Sequence, residues 1–332
     1  MAESLRANIT ATGHYLPDYV LTNKELEEMV ETNDEWIRTR TGIVERRILK
    51  DPDKASAYMG IEAAREVIRN RNINPLDIDV IILSTATPDY LFPSTSCLIQ
   101  REIGAFNAYC FDLMAACSGF LYALTNGATF IESGRYKNVL VIGSDKMSSI
   151  TDYTDRATCI LFGDAAAAVL LEPAEDDSGV IDWVHHSNGT GAEVLRQEAG
   201  GSLNPATHET VEQRKHYIFQ DGKTVFKKAT EGMADVSREI MDRNNLSNED
   251  VQWLVPHQAN LRIIDATAKR MGLSSDNVMV NIDKYGNTTT ATIPLCLYDW
   301  QPRLKKGDNL ILSAFGGGFT WGAVYVKWGL EN

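Results

Sequence analysis

A weak internal repeat limits most strongly what this 332-residue chain can fold into. Residues 64–82, AREVIRNRNINPLDIDVII, align with 237–255, SREIMDRNNLSNEDVQWLV, at a shift of 237 − 64 = 173, and both read as helix, turn and buried strand. NVLVIGS at 138–144 matches NLILSAF at 309–315, and Asp112 matches Asp283, each at a shift of 171; the strand begun by Ile9 matches one begun by Ile181 at 172. Self-similarity at one long spacing predicts two copies of one assembly.

Each copy alternates Val-, Ile- and Leu-rich runs with amphipathic or apolar helical stretches, the pattern of a mostly parallel sheet covered by helices. Each finishes on a glycine-led, strand-forming segment, from Phe162 and from Phe315. The expected class is α/β, with one half over 1–174 and the other over 175–332. No Pro- or Ser-rich linker separates them, so they are expected to form one rigid unit. Insertions at about 22–60 and 187–225 read as caps or lids, the usual role of long irregular segments in a compact domain.

Composition excludes several function classes. A net charge of -13 and a pI near 5.0 disfavour nucleic acid and anionic membrane as partners. No apolar run approaches bilayer length, and the first ten residues lack a basic segment followed by an apolar one, so a cytoplasmic protein is expected. The five cysteines, Cys97, Cys110, Cys117, Cys159 and Cys296, are scattered and contain no C-x-x-C pair. That favours free thiols over disulfides or structural zinc. His208 has no second ligand at metal spacing.

Chemistry concentrates at strand ends. In CFDLMAACSGFLYALTNGATFIESG, residues 110–134, a strand-like run reaches Cys117, after which Phe120, Leu121, Leu124, Ala128 and Ile131 recur at helical spacing. Cys117 is expected to open a buried helix, whose free amides and positive dipole end favour thiolate without an adjacent base. The competing reading is a small buried cysteine packed at a turn. His257 follows the strand run Trp253–Val255 and a proline, and at a shift of 171 Asn287 corresponds to position 116, beside Cys117. Alone, His257 reads as structural; with Cys117 and Asn287 it completes a Cys-His-Asn constellation. Gly316–Gly318 read either as a hairpin turn or as bare backbone amides near a substrate oxygen. G-x-S-x-G, P-loop and G-x-G-x-x-G fingerprints are absent.

Six motifs, DEWIRTRTGI, AACSGF, ILFGDAAAAVL, VPHQANLRI, YGNTTTATIP and AFGGGFTWG, run through nearly the whole chain in one order. On these the sequence resembles the β-ketoacyl-ACP synthase III family, thiolase-fold condensing enzymes that start type II fatty acid synthesis. The resemblance implies a five-layer α-β-α-β-α sandwich and a homodimer. It implies acyl transfer from acyl-CoA to Cys117, then decarboxylative condensation with malonyl-ACP, His257 and Asn287 stabilising the enolate and the amides of Cys117 and Gly317 holding the oxyanion. By the same resemblance Trp36, Arg40 and Arg156 hold CoA, Gly222 and Asn260 line the pantetheine channel, and Phe92 reaches the partner subunit's acyl pocket. No cofactor is implied, acyl-CoA being a substrate.

Lys227, Lys228, Arg262, Lys269 and Arg270 gather near His257, and Arg262 and Lys269, seven apart, share a helix face. This is the expected docking patch for the acidic carrier protein. The polar stretch 204–216 departs from the family pattern and is expected near the acyl pocket, which leaves primer length and branching open. The alternative is a related polyketide- or quinolone-type starter synthase using another acceptor.

Overall fold

The computed structural model describes residues 5–331; the N-terminal stretch read for a leader begins outside them. The principal strands are β1 (Ala7–Tyr15), β2 (Val80–Ser84), β3 (Tyr109–Leu113), β4 (Val139–Asp145), β5 (Ala165–Pro173), β6 (Gly179–Ser187), β7 (Trp253–Pro256), β8 (Asn309–Gly316) and β9 (Thr320–Lys327). The helices that matter for the site are α1 (Asp34–Thr41), α2 (Ser56–Arg71), α3 (Thr95–Ile103), α4 (Gly119–Glu132), α5 (Gly222–Arg243), α6 (Leu261–Met271) and α7 (Thr292–Trp300).

One sheet has the order β1-β5-β4-β2-β3 and the other β6-β9-β8-β7. The sheets obey the repeat: Val80 pairs with Val139 in the first and Trp253 with Leu310 in the second, shifts of 173 and 171. Both sheets are mixed, in contrast to the mostly parallel pattern expected. Only β4/β2 and β2/β3 in the first, and β7/β8 in the second, run parallel. The glycine-led last strand of each half turns back antiparallel on its predecessor, β5 on β4 and β9 on β8. The second sheet has no full counterpart of β3; its place holds a single parallel bridge, Leu254 to Val278.

Alternation along the strands builds five layers. Val80, Ile82, Val139 and Val141 face inward against Phe120, Leu124 and Ala128 of α4 and Leu297 of α7, and Leu310, Leu312, Val324 and Val326 of the second sheet pack on the same two helices. The alternate residues Ile81, Leu83, Leu140 and Ile142 meet α2 and α3 on the first sheet's outer face. Leu254, Ile311 and Ala323 meet α5 and α6 on the second sheet's outer face. Strands buried on both faces explain the continuous apolar runs, and each fully buried Leu or Ile contributes roughly 1.5–3 kcal/mol.

The first insertion is an ordered cap rather than irregular chain. Strands Tyr19–Thr22 and Glu45–Ile48 form an antiparallel ribbon framing α1, and Asn33 caps α1 by accepting the Trp36 N–H at 2.8 Å. Gly42 ends the helix with φ +86°, and a Cβ there would lie 2.7 Å from Leu261 Cβ. A side chain at 42 would therefore push α1 off α6.

Candidate active site

Cys117 lies in a short 3-10 turn, Ala116–Ser118, and α4 itself begins at Gly119. Ala116 enters the turn at φ +45°, a left-handed conformation that costs a side-chain-bearing residue free energy. The turn is held from the second half of the chain. Ser118 Oγ and Thr320 Oγ1 share a hydrogen bond at 2.6 Å, and both lie within reach of Ala115 O, at 2.9 and 3.1 Å, which accepts from whichever hydroxyl keeps its proton free. Gly316 approaches so closely that a Cβ would sit 2.7 Å from Cys117 N and 2.9 Å from Ser118 N. The glycine cluster is thus a hairpin between β8 and β9 whose bare backbone abuts the cysteine turn.

The repeat pairs this turn differently from the sequence alignment. The 3-10 turn Thr289–Ala291 leads into α7 as 116–118 leads into α4, and Thr289, like Ala116, has positive φ, +53°. The shift is 289 − 116 = 173, so Thr289, not Asn287, stands opposite Ala116, and Thr290 stands where Cys117 does. Asn287 precedes the turn, in a parallel bridge with Phe162: its N–H donates to Leu161 O at 2.9 Å and its carbonyl accepts from Gly163 N at 3.1 Å. Its side-chain Oδ1 accepts the Thr289 N–H at 2.9 Å, which leaves Nδ2 as the donor face of the amide.

His257 immediately follows β7, its N–H bonded to Ser313 O at 2.8 Å, and its Nδ1 lies 2.7 Å from Thr292 Oγ1. Complete burial without a charged partner pulls its pKa down to about 3, so the ring is neutral. Beneath the cysteine, Asp145 at the end of β4 accepts from Thr85, Thr87 and Thr290 hydroxyls and from the Ala86 and Thr290 amides, at 2.6–3.1 Å. Burial nonetheless holds its carboxyl above the ordinary range.

Burial opposes the ready thiolate expected from the sequence. Cys117 opens onto a cavity but is surrounded by protein, and burial, reinforced by Asp145, pushes the thiol up to about 12; the backbone hydrogen bond at the turn pulls the other way and loses. Desolvation outweighs the helix-end field here because the 3-10 turn sits in the core between two sheets.

One cavity of about 1180 Å³ is lined by Cys117, His257, Asn287 and Gly317 together with Trp36, Arg40, Gly222, Asn260 and Arg262. Arg156 stands beside it, with its guanidinium 5.3 Å over the Trp36 ring. Asn260 caps α6 through the Arg262 N–H and donates to Arg40 O at 3.0 Å, so its side chain also ties α6 to α1. Apolar walls come from Leu91, Met114, Ile150, Val225, Phe226 and Ile263, none of which the sequence singles out. Thr289, Thr292 and Thr320 are also absent from the sequence-based site; the TTTAT run was legible only as a motif.

Other predicted residues lie outside the cavity. Phe92, 86 % exposed, projects from the surface. Lys227, Lys269 and Arg270 lie exposed on α5 and α6, with Arg270 paired to Asp235 at 3.3 Å and Lys228 facing Glu231 at 3.9 Å. The stretch 204–216 contributes no lining residue but adjoins residues 199 and 200, which do line the cavity. It braces the wall instead: Asn204 O and Lys215 O accept the Gly200 and Ala199 amides at 2.9 and 3.0 Å, and Arg214 pairs with Asp152 at 2.5 Å. Among the described residues no group of three or more His, Cys, Asp or Glu could hold a metal, and no helix is long and apolar enough to cross a membrane.

The family model "3-Oxoacyl-[acyl-carrier-protein (ACP)] synthase III" matches residues 111–189, and its C-terminal companion matches 241–328. A curated relative from Porphyromonas gingivalis, "Beta-ketoacyl-[acyl-carrier-protein] synthase III", is 57% identical over 99% of this chain and 98% of its own. The crystal structure of 3-oxoacyl-[acyl-carrier-protein] synthase III from Aquifex aeolicus superposes with TM-score 0.89 at 44% identity, covering 97% of this chain and 100% of that one. The priming beta-ketosynthase of the R1128 polyketide pathway gives 0.91 at 32%, covering 100% and 99%. With the cysteine turn, the neutral histidine and the fixed asparagine in one cavity of this thiolase fold, the chain belongs to the β-ketoacyl-[acyl-carrier-protein] synthase III family of condensing acyltransferases.

Proposed function

We propose that the chain primes fatty acid synthesis by moving an acyl group from acyl-CoA to Cys117 and condensing it with malonyl-ACP. The observation that carries this is the convergence of Cys117, neutral His257 and anchored Asn287 on one cavity. In the first step the Cys117 sulfur attacks the thioester carbonyl, the carbon–sulfur bond to CoA breaks, and the cysteine's proton leaves with the CoA thiol. Thiol replaces thiol, so no net charge need persist in the buried site. The Cys117 and Gly317 amides hold the transient oxyanion.

In the second step malonyl-ACP loses carbon dioxide and the electron pair passes to the thioester enolate. A neutral His257 donating from Nε2 and Asn287 donating from Nδ2 stabilise that enolate, whereas a carboxylate at either place would repel it. The enolate carbon attacks the acyl-cysteine, the 3-oxoacyl-ACP departs, and a proton from solvent restores the thiol. The Thr292 contact to Nδ1, 2.7 Å, is shorter than the 3.1 Å from Thr292 Oγ1 to Thr289 O. We therefore assign the hydroxyl proton to Nδ1, which leaves Nε2 protonated.

Trp36, Arg40 and Arg156 at the cavity mouth clamp CoA by stacking and charge, while Gly222 and Asn260 border the pantetheine arm. Lys227, Arg262, Lys269 and Arg270 receive the acidic carrier. No cofactor enters either balanced step. A homodimer forms across the outer edge of β3, where the ladder ends and Tyr109, Phe106 and Phe92 are exposed, Phe92 reaching the partner's acyl pocket. The chain divides functionally at 174/175, with Cys117 in one half and His257 and Asn287 in the other, and works in the cytoplasm. The polyketide relative supports a second reading, a starter synthase with another acceptor.

Intact-mass analysis after incubation with a panel of acyl-CoAs tests the first step. Wild type should gain the acyl mass and Cys117→Ala should not; a gain retained by the variant would remove the nucleophile. His257→Ala and Asn287→Ala should acylate normally yet fail to release carbon dioxide from malonyl-ACP. Turnover with malonyl-CoA but not malonyl-ACP would favour the starter-synthase reading.

A further inference from the structure

Arg46 is fully buried and has no carboxylate partner among the described residues. A buried guanidinium is costly unless its donors are satisfied. Here one terminal nitrogen donates to Leu21 O at 3.2 Å and Asn23 Oδ1 at 2.8 Å, and the other donates to Ile160 O at 2.7 Å. Burial draws its pKa down to about 10, so the group remains charged at neutral pH.

The two ends of this fork reach different parts of the site. On one side Asn23 donates onward to Asp34 Oδ1 at 2.9 Å, at the first residue of α1, the helix of Trp36 and Arg40. On the other side Ile160 precedes Leu161, whose carbonyl accepts the Asn287 N–H. The base of the side chain lies against the same bridge: a Cβ at Gly163 or Gly286 would come 3.0 or 3.3 Å from Arg46 Cβ. Gly286 immediately precedes Asn287 and has φ +64°.

We propose that Arg46 is a positioning residue that ties the cap helix α1 to the Phe162–Asn287 bridge and thereby fixes the register from which Asn287 donates. This rests on the role of Asn287 given above. Only a planar fork with several donors spans three oxygens in different directions; a lysine ammonium in this place satisfies a subset of them. Removing the fork frees Ile160 O and Asn23 Oδ1 and loosens the bridge without touching the cysteine turn.

The test is Arg46→Met and Arg46→Lys in the full-length protein, read by amide hydrogen exchange and by separate half-reactions. In Arg46→Met, peptides covering 161–164 and 285–289 should exchange at least tenfold faster, while those of β8 stay unchanged. At saturating acyl-CoA, Cys117 acylation should remain within twofold of wild type, with only its KM rising through the α1 end of the tie; condensation kcat should fall 10- to 100-fold, and KM for malonyl-ACP should hold. Arg46→Lys should lie between, which keeps the comparison readable if the Met variant folds poorly. In an Asn287→Ala background the Met substitution should cost condensation nothing further, because both act through one group.

Unchanged exchange at 161–164 and 285–289 in both variants would overturn the positioning role, as would equal losses of kcat in both half-reactions at saturating substrate or losses that add to those of Asn287→Ala. Faster exchange at the bridge with intact condensation would leave Arg46 as the anchor of Asn287 and overturn instead the part assigned to Asn287 in decarboxylation.

Discussion

Thr292 Oγ1 lies 2.7 Å from His257 Nδ1, joining the first residue of a central helix to the residue that follows a strand of the second sheet. The contact engages Nδ1, so on the proposed mechanism its removal should separate the two half-reactions. Thr292→Val keeps the shape and deletes the hydroxyl. Condensation kcat should drop at least tenfold while Cys117 acylation is unaffected, and Thr292→Ser should recover most of the loss. Equal turnover of the Val variant and wild type would remove Thr292 from the mechanism.

The thiol pushed up to about 12 sets a pH dependence. A raised pKa means that the thiolate fraction climbs about tenfold per pH unit and does not level off near neutrality. Alkylation of Cys117 by iodoacetamide should therefore keep rising from pH 7 to 10. A plateau below pH 8 would restore the ready thiolate expected from the sequence.

That expectation shows where sequence reading succeeded and where it stopped. The strand-turn-helix around Cys117 and the strand ahead of His257 were legible because buried strands write continuous apolar runs and the helix writes a 3.6-residue period. The two-sheet stack followed from the repeat. The thiol's ionisation was not legible, because it depends on Asp145, 28 residues further on, and on burial between two sheets, neither of which leaves a periodic trace. The repeat misplaced Asn287 for a related reason: its shift drifts between 171 and 173, and two residues decide which side chain faces which. The contacts of 204–216 were hidden too, since two backbone carbonyls do much of the bracing and the Arg214–Asp152 pair joins residues 62 apart.

Two neighbouring glycines should respond oppositely to one methyl group. Gly316→Ala places a Cβ among backbone atoms at 2.7, 2.9 and 3.0 Å, from Cys117, Ser118 and Ala115. Stability should fall by about 2 kcal/mol, with acylation reduced at least 100-fold. Gly317→Ala meets only the Leu195 side chain at 3.4 Å and the Ala116 Cβ at 3.6 Å, and should fold with nearly wild-type stability. Thermal melts and intact-mass acylation check both.

Acid should destabilise the fold partly through its neutral histidines. Burial holds His257 at about 3 and His185 at about 4, against about 6.5 unfolded. The unfolded chain therefore binds protons that the folded one refuses as pH falls below 6.5. Stability is fully present above that value and declines by up to about 1.4 kcal/mol per pH unit for each ring. His257→Asn should flatten the dependence of the denaturant midpoint between pH 6.5 and 4.5. An unaltered slope would mean that the ring is protonated in the native protein.

Charge reversal at Lys227 and Lys269 should weaken carrier docking and leave the small substrate alone. Both are exposed on α5 and α6. The double Glu variant should raise KM for malonyl-ACP at least tenfold, with a shallower dependence on salt, and acylate from CoA at the wild-type rate. An unchanged KM would remove this face as the docking site.

The left-handed entry shared by Ala116 and Thr289 carries a historical consequence. One strained corner occurs twice, at matching places ahead of the two central helices, and only one copy bears a nucleophile. A duplicated ancestral gene would have produced two equivalent corners back to back. In the present molecule one copy bears the reactive sulfur, and the other holds Thr290, bonded to Asp145.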